Sequence, residues 1–336
     1  MAAAPGGNRP RDDGRAFSAL VWRRLRWDQV LVAALGVIVV VAVAAVLAPR
    51  LAPYDPTRAD PRIRLSPPGT VGHLLGTDQL GRDVLSRVMW GGRISLIVGV
   101  VPVVLSAVGG TAVGLIAGYY GGPVDQIITR ALDVLFAFPA ILLALAIVSA
   151  LGPSIYNAML AITIVAIPSF ARLVRSAVLG LRERSFVEAA RSLGASSTRI
   201  ISRHILPNTV SPVIVYATFE TGKTIVFAAA LSFLGLGVQP PTAEWGAMLS
   251  QGRTVLATAW YVATVPGMLI FLVSLSFNIL GDGLRDALDP HQAMAGPATG
   301  AVSATRRPHT RDGRRRPPVQ RRGGGIPHGA EQRYPE

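Results

Sequence analysis

The sequence predicts an all-α membrane protein with six transmembrane helices, and three observations carry that expectation. Only 15% of the 336 residues are charged and the mean hydropathy is +0.43, whereas soluble chains carry roughly a quarter charged residues. Six long apolar runs lack the polar stripe at 3.6-residue spacing that a soluble core helix shows. The arginines, finally, gather in particular connecting segments and in the two ends of the chain.

Taken in order, Val30–Ala48 is 19 residues without a charge, about 28 Å as helix and enough to cross the hydrocarbon core. Its long preface argues for a retained first helix over a cleaved signal peptide. Ile94–Gly118 is the second run, and Gly110, Gly114 and Gly118 recur in it every fourth residue. In lipid such a ridge of small residues marks a close helix–helix contact. Val134–Leu151 and Ile155–Ala171 are the third and fourth runs, separated by a Gly152-Pro153 turn. Thr209–Leu236 is the fifth, interrupted by Glu220 and Lys223, and Trp260–Gly281 is the sixth.

The formal net charge is +14, a value that invites a nucleic-acid reading. Its location removes that appeal. Residues 1–28 hold six Arg against three Asp, and residues 291–336 hold nine Arg against three acidic residues. Both segments are rich in Pro, Gly and Arg and too poor in large apolar residues to offset their ordering entropy. The expected organisation is therefore a disordered cytoplasmic tail over 1–28, a first helix and extracytoplasmic segment over 29–93, a core over 94–290 with a loop at 172–208, and a disordered tail over 291–336. The chain has no Cys, which excludes disulfides, thiolate metal sites and Cys nucleophiles. The five His are scattered without ligand spacing, so no metal site is expected.

Arg and Lys near spans resist translocation. With the N-terminus inside, the inner segments hold 24 basic residues and the outer ones eight. Seven of the inner ones, Arg172 to Arg203, fall in one short segment. Both termini are expected to be cytoplasmic.

That segment carries the clearest signal. Ser185 to Asn208 reads as two short helices joined at Gly194, which suits the left-handed position that closes a helix. Ser196 or Ser197 is a candidate cap for the second helix, which is expected to stop at Pro207. Glu188-Ala189-Ala190, Gly194 and Leu206-Pro207 resemble the EAA loop of binding-protein-dependent ABC importer permeases. Longer motifs in the same order strengthen the resemblance: His73 to Arg87, Tyr119-Tyr-Gly-Gly, Leu231 to Pro241, Glu244-Trp-Gly and Asn278 to Pro290. Together they look like the second permease of the dipeptide/oligopeptide branch, over about residues 20–290.

The resemblance implies a type I importer permease fold and a subunit without catalytic residues or a cofactor of its own. ATP and magnesium would be held by two cytoplasmic ATPase subunits, and solute would arrive from an extracytoplasmic binding protein. A homologous second permease and membrane lipid complete the expected partners, with no nucleic acid. Glu188 would make polar contact with the ATPase, Ala189 and Ala190 would supply a flat docking face, and Gly194 the turn. The same branch includes carriers of nickel and other metal complexes beside di- and oligopeptides. A rival of another class is a membrane-anchored nucleic-acid or lipid binder acting through its basic tails.

Five further motifs have a bland and a functional reading. Ala217 to Thr224 fits a relaxed nucleotide-binding pattern, but a phosphate cradle needs a strand before it, and this one lies in a span. Glu220 and Lys223, the only Lys, either pair to pack the fifth span or line a translocation path for a zwitterionic solute. Asp78–Arg82 and Asp83–Arg87 at i, i+4, with Thr77 as candidate cap, read as a solvated outer helix or as a contact with the binding protein or the partner permease. Glu244 and Trp245 read as an interfacial anchor or as a second such contact. Asp125, Arg130 and Asp133 read as a wet ion-paired face or as an ATPase contact.

Overall fold

The computed structural model describes residues 29–288, so the assignments for 1–28 and 291–336 lie outside the described residues. The chain folds as α1 (Gln29–Val46), a short α2 (Ala48–Leu51), a long irregular segment, α3 (Val84–Tyr120), α4 (Gly122–Phe136), α5 (Ala140–Leu151), α6 (Ile155–Arg182), α7 (Ser185–Ser192), α8 (Ser197–Ile200), a π turn at Ile201–Ile205, α9 (Leu206–Phe233), α10 (Trp245–Gly252) and α11 (Tyr261–Leu288). Five helical stretches are long and apolar enough to cross a membrane, and α4 with α5 makes the sixth if that bent pair is one span. Among the described residues there is no sheet.

Three boundaries differ from expectation, each for a physical reason. The third run, Val134–Leu151, is not one helix: α4 and α5 meet at 87° across Ala137–Pro139. Pro139 drives the residue before it out of the helical region. The 12-residue α5 is only about 18 Å long, too short to span alone. The second run begins ten residues early, at Val84, so α3 runs through the expected boundary at 93/94. The fourth extends past Ala171 to Arg182, which places Arg172, Arg175 and Arg182 on helix and not in a loop. These arginines are held by neighbours. Arg175 donates to both oxygens of Asp125 at 2.5 and 2.6 Å, and Arg172 to Asp133 at 3.0 Å. Arg182 donates to the Gly118 carbonyl at 3.2 Å. Asp125 and Asp133 thus tie α4 to α6.

The glycine ridge is a helix contact, as expected. A Cβ on Gly114 would lie 2.5 Å from the Ala171 carbonyl oxygen, and one on Gly118 2.8 Å from Val178 Cβ. Only hydrogen at these positions lets α3 lie against α6. Beyond such contacts the exterior is apolar, with Val40, Val108 and Phe271 among many exposed large side chains. Three buried clusters fill the interior. One joins α3, α10 and α11 around Trp245, a second joins α5, α6 and α9, and a third gathers the ends of α3, α6 and α9 with α7 and α8.

Candidate functional site

Three places carry the chemistry: the α7–α8 segment, a cavity along α9, and a polar cap at the opposite end of the helices from α7. In the first, helix α7 is closed by a Schellman motif. The Gly194 N–H donates to the Arg191 carbonyl at 3.0 Å and the Ala195 N–H to the Ala190 carbonyl at 3.1 Å, with Gly194 at φ +79°. An L side chain is strained at that φ, so the glycine is required by geometry. The Ser196 side chain caps α8 by accepting from the Arg199 N–H.

The second helix does not stop at Pro207. The Leu206 N–H donates to the Ile201 carbonyl across the wide π turn, and helix continues without a break from Ser197 to Phe233. Pro207 occupies the first turn of α9, where the shifted ladder tolerates its missing donor.

Val187, Ile200 and Ile205 are fully buried and plug this segment into Leu115, Val174 and Val178. The outer side is open: Leu193 is 88% exposed and Phe186 43%, and Glu188, Ala189 and Arg191 stand beside them. Of the six residues expected at the docking face, Glu188, Ala189, Gly194 and Pro207 are exposed. Ala190 and Leu206 instead pack inward against the buried cluster, because the helix period turns them to its other side.

In the second place, Glu220 and Lys223 line a cavity of about 220 Å³ with Phe136, Phe138, Ser169 and Phe227. The bend between α4 and α5 forms one wall of it. Lys223 Nζ is 3.5 Å from Glu220 Oε2, with side chains 63% and 17% exposed. Tyr216 is a neighbour, its ring 5.8 Å from Lys223 Nζ. Ala217–Thr224 is helical throughout, so its backbone N–H groups are committed to the helix and not to a phosphate.

The third place corrects two expectations. Asp78, Arg82, Glu244 and Trp245 were expected on an exposed outer surface, and all four are buried. Thr77 to Gly81 is a turn and not helix; α3 starts later, with Asp83 as its cap accepting from the Ser86 N–H at 2.7 Å. Asp78 pairs with Arg82 at 2.7 Å as expected, but Arg87 also reaches Asp78, at 3.4 Å, and Asp83 pairs with His73 at 2.9 Å.

Gln251 of α10 accepts from Arg82 at 3.1 Å, and the Tyr261 hydroxyl donates to the Ser66 and Thr77 carbonyls. Glu244 caps α10, accepting from the Gly246 and Ala247 N–H groups at 2.8 Å each, and also from the Ser95 hydroxyl. Trp245 is no interfacial anchor: it lies against Gly91 and Gly92 and donates to the Val88 carbonyl at 3.0 Å. Among the described residues every buried polar side-chain atom has a partner. Glycines at 76 and 81 bracketing the motif are the sequence signal for a turn in place of a helix.

Residues 110–293 match the family of binding-protein-dependent transport system inner membrane components, and residues 17–68 match the N-terminal transmembrane domain of oligopeptide transport permease C. The glutathione transport system permease protein GsiD of Escherichia coli O6:K15:H31 is 50% identical over 269 residues, spanning 80% of this chain and 89% of the relative. That of Pectobacterium atrosepticum is 49% identical over 270 residues, with the same shares covered. Among solved structures, an inward-facing MetNI methionine ABC transporter chain aligns with a TM-score of 0.50 at 19% identity, covering 60% of this chain and 97% of that one.

Proposed function

The chain belongs to the family of binding-protein-dependent transport system inner membrane components, and from that footing we propose that it imports small peptides or peptide-like solutes such as glutathione. Membership makes it a multi-pass inner-membrane protein and a permease subunit of an ABC importer. In this reading both termini and the α7–α8 segment are cytoplasmic. Two ATPase subunits hold ATP and magnesium and do the hydrolysis, a second permease completes the pore, and a binding protein delivers solute from outside. Glu220 and Lys223 line the path.

The observation that carries the reading is mechanical continuity. The open face of α7, with Phe186, Glu188, Ala189 and Leu193, is locked by Val187, Ile200 and Ile205 to α6 and α8. From α8 one unbroken helix leads to Glu220 and Lys223 at the cavity. A push on α7 by an ATPase therefore moves the wall of the cavity directly, without an intervening hinge loop.

Replacing Gly194 by Trp tests this, since the φ of +79° strains an L side chain while a Cβ there would meet nothing within 4 Å. In proteoliposomes holding the complete importer, ATP hydrolysis is expected to persist while uptake of radiolabelled glutathione is lost and the subunit still inserts. Normal uptake by that variant would count against the coupling role.

A further inference from the structure

Two cavities succeed one another along a single face of α9. Pro212, Tyr216, Glu220, Lys223 and Phe227 recur at spacings of three and four residues, so they share one face over about 22 Å. The half nearer α11's end is lined by Pro212, Tyr216, Phe219, Leu173 and Arg285. The other half is the cavity of Glu220 and Lys223. Tyr216 lines the first of these, with its ring 5.8 Å from Lys223 Nζ of the second and edge-on to the buried Phe170, ring centroids 4.9 Å apart.

The charges along this face are not balanced. Glu220 is largely covered and has Lys223 as its ion-pair partner. Lys223 reaches Glu220 through one long 3.5 Å contact and leaves most of its side chain open. A pair whose work was only to pack a span would be short and enclosed, as Asp78 and Arg82 are. Arg285, at the far end, is exposed and forms no ion pair with any described residue. The face therefore offers two open cations, while its one carboxylate is already occupied.

We propose that Lys223 and Arg285 are successive receptors for a free carboxylate of the transported solute, with Tyr216 as the partition between them. Resting on the reading of the α9 face as the path, this names the solute class: peptides with more carboxylate than ammonium charge, as in glutathione, which has two carboxylates and one ammonium group. The solute's carboxylate replaces Glu220 as the partner of Lys223, and it next meets a cation beyond Tyr216, at the guanidinium of Arg285. Glu220, largely covered, keeps Lys223 extended toward the cavity and is a positioning residue.

The test uses the complete importer in proteoliposomes, with radiolabelled glutathione as probe and with binding-protein-stimulated ATP hydrolysis as a check on assembly. A charge-assisted hydrogen bond lost from a transport step lowers its rate by about tenfold or more. Lys223→Gln and Arg285→Gln are each expected to cut uptake by that factor with stimulated hydrolysis retained, and Lys223→Arg and Arg285→Lys to restore most of it. Glu220→Gln, which weakens the positioning of Lys223, is expected to lower uptake about threefold, less than Lys223→Gln does. The proposal is overturned if Glu220→Gln is as damaging as Lys223→Gln, which marks a structural pair, or if Arg285→Gln transports normally. An unmodified importer that hydrolyses ATP but takes up no glutathione or dialanine defeats the peptide reading itself, a result separate from either of these.

Discussion

The polar cap around Asp78 and the α7 segment around Glu188 use the same residue types to opposite ends. In the cap, Asp78, Arg82, Asp83 and Arg87 are all within a few per cent of full burial, and each is bonded inside the chain. In the α7 segment, Glu188, Arg191 and Arg199 are exposed, and Leu193 is more exposed than any residue of the cap motif. The cap's charges are internal cement joining the long segment before α3 to α10 and α11. Those of α7 are an open surface. Charge by itself marks neither role; what decides is whether a partner inside the chain satisfies it.

That contrast can be broken from either side. The largest effect is expected from Asp78→Ala, which strands Arg82 and Arg87 without their carboxylate. Removing one partner of a buried pair costs about 3–5 kcal/mol, and the purified protein's melting temperature should fall accordingly, with poor recovery from membranes. Glu244→Ala is next: loss of a helix cap costs about 1–2 kcal/mol, read in the same melt. Leu193→Asp should be smallest in stability, within about 0.5 kcal/mol, as for surface substitutions. It should still abolish capture of the ATPase subunits in a pull-down, because it places a charge where an apolar side chain now faces outward. If Leu193→Asp melted as low as Asp78→Ala, α7 would be part of the core and the distinction would collapse.

Much of this was legible in the residues, and the failures share one cause. Charge-free runs located the spans because lipid leaves no other solution for them. Gly194 and Ser196 announced the joint between α7 and α8 through local backbone rules alone. The ends of α3 and α6 were misjudged because Arg87 and Arg175 look like loop residues until Asp78 and Asp125 are known to hold them. The burial of Glu244 and Trp245 depends on Ser95, Gly91 and Gly92, about 150 residues away, which no local pattern reports. The bend at Pro139 is the exception: its signal was local, and a hydropathy run passes straight over it.

The stretch Ser197–Phe233 has 37 residues, about 55 Å of helix against a hydrocarbon core of about 30 Å. The surplus is some 25 Å, more than the depth of a headgroup layer. The exposed Arg199 and Arg203 lie at the α8 end, and charged side chains are costly in hydrocarbon, so the excess falls there. Leu193, four residues before that end, sits beside the part of the helix that outruns the hydrocarbon.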